Sequence, residues 1–232
     1  MDRRPYGTRA AGRPLLTMRT HCYARRVPRT TDHEARREQL AAAVWRLVSD
    51  GGVEAVSLRS VAAEAGVSMG RVQYYFSTKD DLLLDGLRFS HRYMERRIGQ
   101  RLEGSAGDER TILVAILDEL LGEHPQTRDA IRVHSAFAAR AVTEEMADVL
   151  TDGDEEILAL TVRVVAEAVA SGRAAPGTDP EIDGFALWTL ARGLGGDVAL
   201  YGAPVERARR TLHHVLDRIA PPPGAREQPC RR

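Results

Sequence analysis

Residues 58–83 read LRSVAAEAGVSMGRVQYYFSTKDDLL, and the division of this run into helices decides the fold. Ser57 is an N-cap, after which Leu58, Val61, Ala62 and Ala65 fall on one helical face. Gly66 supplies the turn, because a helix ends most readily on a residue that accepts left-handed dihedrals. Ser68 caps a second segment of about two turns that ends near Phe76. Thr78 caps the next helix, whose opening KDDL sets Asp80 and Asp81 at the positive end of the helix dipole. Two short helices joined by Ala-Gly-Val, with an amphipathic helix before them, form the helix-turn-helix pattern. The second of the pair is small at its front, Ser68-Met69-Gly70, and aromatic behind, Tyr74-Tyr75-Phe76. That asymmetry suits a helix that enters the major groove of DNA with its amino end first.

Upstream, Thr31 and Glu34 have capping-box spacing, and Leu40, Val44, Leu47 and Val48 recur at helical period until Gly51-Gly52. Downstream, the helix opened by Thr78 keeps apolar contacts at Leu83, Leu87, Tyr93, Met94 and Ile98 toward Gly104. From Asp108 onward the pattern is helical throughout. Segments begin at ERTILVAILDELL, PQTRDAIRVHSAFAARA, EEMADVL and EEILALTVRVVAEAVA, with Gly153 leaving open whether the last two join. Asp179-Pro180 starts a long apolar helix to about Tyr201, and PVERARRTLHHVLDRI is the last. The expected fold is therefore all-α. A helix-turn-helix domain of three helices over residues 31–94 precedes a larger helical domain for ligand binding and dimerisation over residues 95–220. Residues 1–30 read as a disordered basic arm, or as the product of a misassigned start with Met18 as an alternative, and residues 221–232 as a disordered tail.

The formal net charge of zero conceals its distribution. Residues 1–31 carry eight arginines and one aspartate, residues 32–97 balance, and residues 98–220 hold twelve cations against twenty-one acids. A polyanion would meet the amino-terminal side. Two cysteines near the termini, Cys22 and Cys230, provide neither a disulfide framework nor a zinc ligand set. Acids interrupt every apolar run before membrane-spanning length, and no secretion signal opens the chain, so a cytoplasmic protein without a membrane role is expected. No motif for metal hydrolysis, a nucleophile elbow or nucleotide phosphates occurs, and no catalytic residue, metal or cofactor is assigned.

Within the helix-turn-helix, Ser68 and Gly70 let backbone approach the duplex. Arg71 can fork onto guanine O6 and N7, Gln73 can pair with adenine, and Met69 can touch a thymine methyl or, sharing a face with Val72 and Phe76, pack inward. Tyr74, Tyr75 and Lys79, the chain's only lysine, suit flanking phosphates, as do Ser57 and Arg59 at the start of the preceding helix. These residues resemble the TetR family of bacterial transcriptional regulators, with Ala63, Gly66, Val67, Ser68, Gly70, Tyr75, Phe76, Lys79 and Leu82 in family-like positions. Gln73 departs from the pattern, standing where many members carry a tyrosine. The stretch from HPQTRDAIRVHSAFAARAVTEE to the last helix resembles the BetI-like ligand-binding domain. The resemblance implies a homodimer, paired through the last two helices, that binds a pseudo-palindromic double-stranded operator and releases it when a small-molecule effector binds.

For that effector, His134, Phe137, Trp188 and Arg192 are candidate cavity residues, since aromatics with a few polar groups suit a site between helices. Each also fits plain packing or an interface. His213 and Asp217 have the spacing of two metal ligands on a helix, but lack further partners and read as solvated. Gly184, Gly193, Gly195 and Gly196 weaken the penultimate helix and suit a close helix approach at an interface. A second functional reading, from another class, is an all-α small-molecule binding protein or enzyme with no DNA role. Sequence-selective DNA binding separates the two.

Overall fold

The computed structural model describes residues 32–103, 107–139 and 143–224. Its regular structure there is helical. Helix α1 (Asp32–Gly51) is followed by a 3-10 turn (Val53–Ala55), α2 (Leu58–Ala65), α3 (Met69–Tyr75) and α4 (Lys79–Glu103). Then come α5 (Glu109–Leu120), α6 (Pro125–Ala138), α7 (Glu144–Ala170), α8 (Pro180–Tyr201) and α9 (Val205–Ile219). The basic arm, the expected cap at Thr31 and the tail beyond Gly224 lie outside the described residues.

Local chemistry fixes the ends of these helices. Ser57 Oγ accepts from the Ser60 amide at 3.0 Å while Ser60 Oγ accepts from the Ser57 amide at 2.8 Å, a reciprocal cap on α2. Gly66, at φ 66°, closes α2 by donating its amide back to Ala62 and Ala63. Ser68 caps α3 through the Arg71 amide, and Thr78 and Asp81 exchange bonds of 3.0 Å at the start of α4.

Helix α7 runs unbroken through Gly153, which settles the join left open by the sequence. The glycine has a packing cause: a Cβ there would stand 2.6 Å from His91 Nδ1 on α4. The glycines of α8 divide into two kinds. A Cβ on Gly184 would meet Val162 Cα at 2.8 Å and one on Gly195 would meet Leu120 O at 2.0 Å, whereas Gly193 and Gly196 face open space. The close approach is thus to α7 and α5 of the same chain.

Two apolar clusters hold the helices. The first joins Leu40, Val44 and Val61 to Val72, Phe76 and Leu87, and extends to Phe137 and Met146 of α6 and α7. The second gathers Leu113, Leu117, Leu187, Trp188, Leu212 and Leu216 from α5, α8 and α9. Each fully buried side chain of this size contributes about 1.5–3 kcal/mol. Helix α4 enters both clusters, with Leu87 in the first and Ile98 in the second. It spans the molecule between the helix-turn-helix and the larger helical assembly.

Candidate nucleic-acid interface and effector cavity

Helix α3 is anchored from behind by Val72 and Phe76, which are 0% and 2% exposed. Their burial turns the rest of the helix outward. Ser68, Met69, Gly70, Arg71, Gln73 and Tyr74 are exposed, as are Ser57, Arg59 and Lys79 nearby. Met69 therefore faces solvent and not the core, although it shares part of a face with Val72. A Cβ on Gly70 would meet nothing within 4 Å, so packing inside the chain does not require glycine there. Arg71 and Lys79 make no ion pair among the described residues, in contrast to Arg37 and Arg46 beside them.

Tyr75 is half-buried. Its ring lies 5.1 Å from Tyr74 at near right angles and 4.7 Å from His33 of α1. His33 and Arg37 escaped the sequence reading. The Arg37 guanidinium donates two bonds of 2.9 Å to Asp85 of α4 and lies 5.5 Å from the centre of the Phe76 ring. Arg37 thereby fixes the end of α3 against α1 and α4, and its hydrogen bonds to Asp85 hold its pKa above the ordinary arginine value. Gln39 Nε2 donates to Ala65 O at 2.9 Å and secures the turn before α3. No periodicity encodes these contacts, because each joins helices that lie far apart in sequence.

On the other side, α4, α6, α7 and α8 flank a cavity of about 550 Å³ that is open to solvent. His134, Trp188 and Arg192 are among the residues that line it. Phe137 does not: its ring is 2% exposed and packs in the first apolar cluster, with Val133 one turn earlier on the same face. His91, Asp154 and Met94 belong to the lining but were missed, since Asp154 reads as one more acid in an acidic run. Gly193 and Gly196 form part of the wall, where side chains would narrow it.

The polar end of the cavity is a chain of contacts. His91 Nε2 and His134 Nδ1 share a bond of 3.4 Å. His134 Nε2 is 3.7 Å from Asp154 Oδ1, whose other oxygen takes Arg192 Nη1 at 3.1 Å. The Arg192 guanidinium lies 5.2 Å from the Trp188 ring centre. Burial lowers both histidines to a pKa of about 4, helped at His91 by the neighbouring His134 and at His134 by Arg192. Burial also raises Asp154 above the usual carboxylate range.

Asp217 is exposed, as the sequence suggested, and His213 half-buried, but both are bonded within the chain. His213 Nε2 is 2.8 Å from Asp118 Oδ1, and Asp217 accepts from Arg110 Nη2 at 2.5 Å. Both contacts join α9 to α5.

A short two-turn helix presented outward by a left-handed glycine turn, beside a helical body with a cavity between its helices, invites comparison with known regulators. Residues 40–85 match the family described as bacterial regulatory proteins, tetR family. Residues 109–221 match the BetI-type transcriptional repressor, C-terminal, family. The HTH-type transcriptional regulator PksA of Bacillus subtilis (strain 168) is 30% identical over 196 residues, covering 83% of this chain and 94% of PksA. The chain belongs to the TetR family.

Its BetI-type carboxyl half is shared with the HTH-type transcriptional regulator BetI of Stenotrophomonas maltophilia (strain R551-3), 26% identical over 82% of this chain and 96% of the relative. Among solved structures, a transcriptional regulator from Rhodococcus sp. Rha1 is 30% identical with a TM-score of 0.64, covering 78% of this chain and 91% of that one. A regulator from Saccharomonospora viridis, solved in complex with choline, has a TM-score of 0.72 at 22% identity over 80% of this chain and 98% of that one, a likeness of fold. This TetR-family protein is a DNA-binding transcriptional regulator and not an enzyme. No helix among the described residues is long and apolar enough to cross a membrane.

Proposed function

We propose that this regulator is a repressor that holds a pseudo-palindromic operator as a homodimer and lets go when a small molecule fills the cavity. One observation carries the reading: α4 starts at Lys79 on the DNA side and supplies His91 and Met94 to the cavity wall. Anything that moves α4 at the cavity also moves the helix-turn-helix. Residues 31–94 act as the reading head and residues 95–220 as the ligand-binding and dimerisation unit. Ser68, Gly70, Arg71 and Gln73 face bases, with Met69 beside them, while Ser57, Arg59, Tyr74, Tyr75 and Lys79 face phosphates. His134, Trp188 and Arg192 contact the effector.

Pairing through α8 and α9 is supported by exposed apolar side chains on α8 that lie outside the cavity lining, Ile182 and Phe185. A two-fold dimer reads two half-sites whose centres lie about one helical turn, or a multiple, apart. Such a regulator works in the cytoplasm, where its operator is.

Selection of bound sequences from a random DNA pool with purified protein tests the reading. Enrichment of an inverted repeat, protected from exchange by two copies of the chain, is the expected result. Recovery of no common sequence would refute DNA readout by α3. The selected operator then allows the switch to be measured, because effector and operator must weaken each other by the same factor, typically 1–3 kcal/mol.

A further inference from the structure

The cavity's lining has a charge imbalance that constrains its occupant. Four carboxylates, Glu95, Asp154, Glu156 and Asp197, stand around it against the single guanidinium of Arg192. Arg192 is already committed, paired to Asp154 and set over the Trp188 ring. Burial and the charge of Glu156 raise Glu95 despite Arg92 and Arg96, and burial raises Asp154 despite Arg192, so a further negative charge beside them is unfavourable. An anionic ligand would add to that repulsion, whereas a cation relieves it.

The hydrogen-bonding pattern narrows the class further. His134 Nε2 is buried without a hydrogen-bond partner, and its 3.7 Å separation from Asp154 Oδ1 is too long for a direct bond. The low pKa of the ring keeps it neutral, so one of its nitrogens carries a proton and the other a lone pair, and the bond between Nδ1 and His91 fits either tautomer. An ionised carboxylate only accepts, so the gap beside Asp154 Oδ1 calls for a donor. The aromatic face that would otherwise cradle a fully alkylated cation is covered by Arg192. Away from this polar end the wall is apolar, formed by Met94, Leu120, Ile131 and Ile157.

We infer that the effector is an amphipathic amine whose protonated nitrogen carries at least one N–H, which it donates to Asp154 beside His134, while its apolar body lies along Met94, Ile131 and Ile157. The inference rests on the cavity being the effector site and names the chemistry that site selects. It favours a primary or secondary ammonium over a quaternary one.

Calorimetric titration of the full chain without DNA, using octylamine, octyltrimethylammonium, octanoate and octanol, tests it. Octylamine is expected to bind at least about tenfold more tightly than each of the other three, the scale of one charge-assisted hydrogen bond. Asp154→Asn should remove its advantage over octanol. Equal affinity for the quaternary ammonium would overturn the N–H requirement, and equal affinity for octanol would leave only apolar burial. Tighter octanoate would make Arg192 the selector, and binding of none of the four would also overturn the inference. The ligand series on the unaltered chain decides the matter even if Asp154→Asn fails to fold. Because DNA is absent, amine selectivity without any loss of operator affinity would refute the switch and leave the ligand class standing.

Discussion

Gly70→Ala tests the reading head most sharply, because fold and function should respond in opposite directions. Gly70 is the second residue of α3, exposed, without positive φ, and the added methyl meets nothing within 4 Å. Glycine in a helix costs about 0.5–1 kcal/mol relative to alanine, so the variant should gain up to that amount, or about 1–4 °C in Tm. The same substitution at Gly195 is the control. There the new methyl would stand 2.0 Å from Leu120 O, well inside contact distance, and α8 must shift against α5 at a cost of about 1–3 kcal/mol or more. Thermal unfolding followed by circular dichroism should therefore move up for Gly70→Ala and down for Gly195→Ala. Fluorescence anisotropy on labelled operator should show at least about a tenfold loss, 1.4 kcal/mol, for Gly70→Ala alone, since the methyl keeps the backbone from the duplex. An unchanged operator affinity would refute close approach of the start of α3 to DNA. A drop in Tm would refute the open surroundings of Gly70.

Three further outcomes are expected. Arg71→Ala should cost about 1–3 kcal/mol on operator and relax one position of each half-site, and equal losses on operator and random DNA would exclude base readout. Lys79→Ala should weaken binding to all sequences alike and reduce the salt slope by roughly one per subunit, so an unaltered slope removes it from the phosphate contacts. The buried histidines set a pH dependence of stability. Their pKa near about 4 lies below the ordinary 6.5, so the unfolded chain takes up their protons first, and stability falls as pH drops from 6.5 toward 4. The loss is at most about 3 kcal/mol for each ring. Urea unfolding at pH 7, 6 and 5 should show a shallower decline for the double variant His91→Gln, His134→Gln, and the same decline would place the proton uptake elsewhere.

The reading head was legible in the sequence because its determinants are local. Ser57, Gly66, Ser68 and Thr78 cap or turn their own helices, and the period of Leu58, Val61 and Ala62 marks the buried face without reference to anything distant. The cavity was only partly legible. Trp188 and Arg192 were candidates as an aromatic and a polar group suited to a site between helices, but His91 and Asp154 enter the cavity only through the crossing of α4 with α7. That crossing depends on Gly153, a residue whose sequence reading was a possible break and whose structural role is to admit the His91 ring. Phe137 misled for the same reason. On a lone helix its face cannot be told from that of His134, and only the packing of α6 on the first cluster turns it inward.

The same contacts explain why α4 suits the proposed switch. Its first half is tied to the reading head: Asp85 holds Arg37 of α1, and Gly86 lies so close to α1 that a Cβ would stand 2.4 Å from Val44 Cγ1. Its second half is tied to the larger assembly through Glu119 of α5, whose carboxylate is 1% exposed and takes Arg97 at 3.0 Å and Arg101 at 2.5 Å. Burial alone would raise Glu119, but the bond from Thr127 and the two arginines outweigh it and leave its pKa below the ordinary value, so the clamp stays ionised. His91 and Met94 face the cavity between these two clamps. A ligand wedged there cannot displace α4 freely at either end, so it must change the angle between the two clamped bodies. In a dimer held at the larger assembly, that angle sets the spacing of the two α3 helices, and an operator with fixed half-site separation is the partner most sensitive to it.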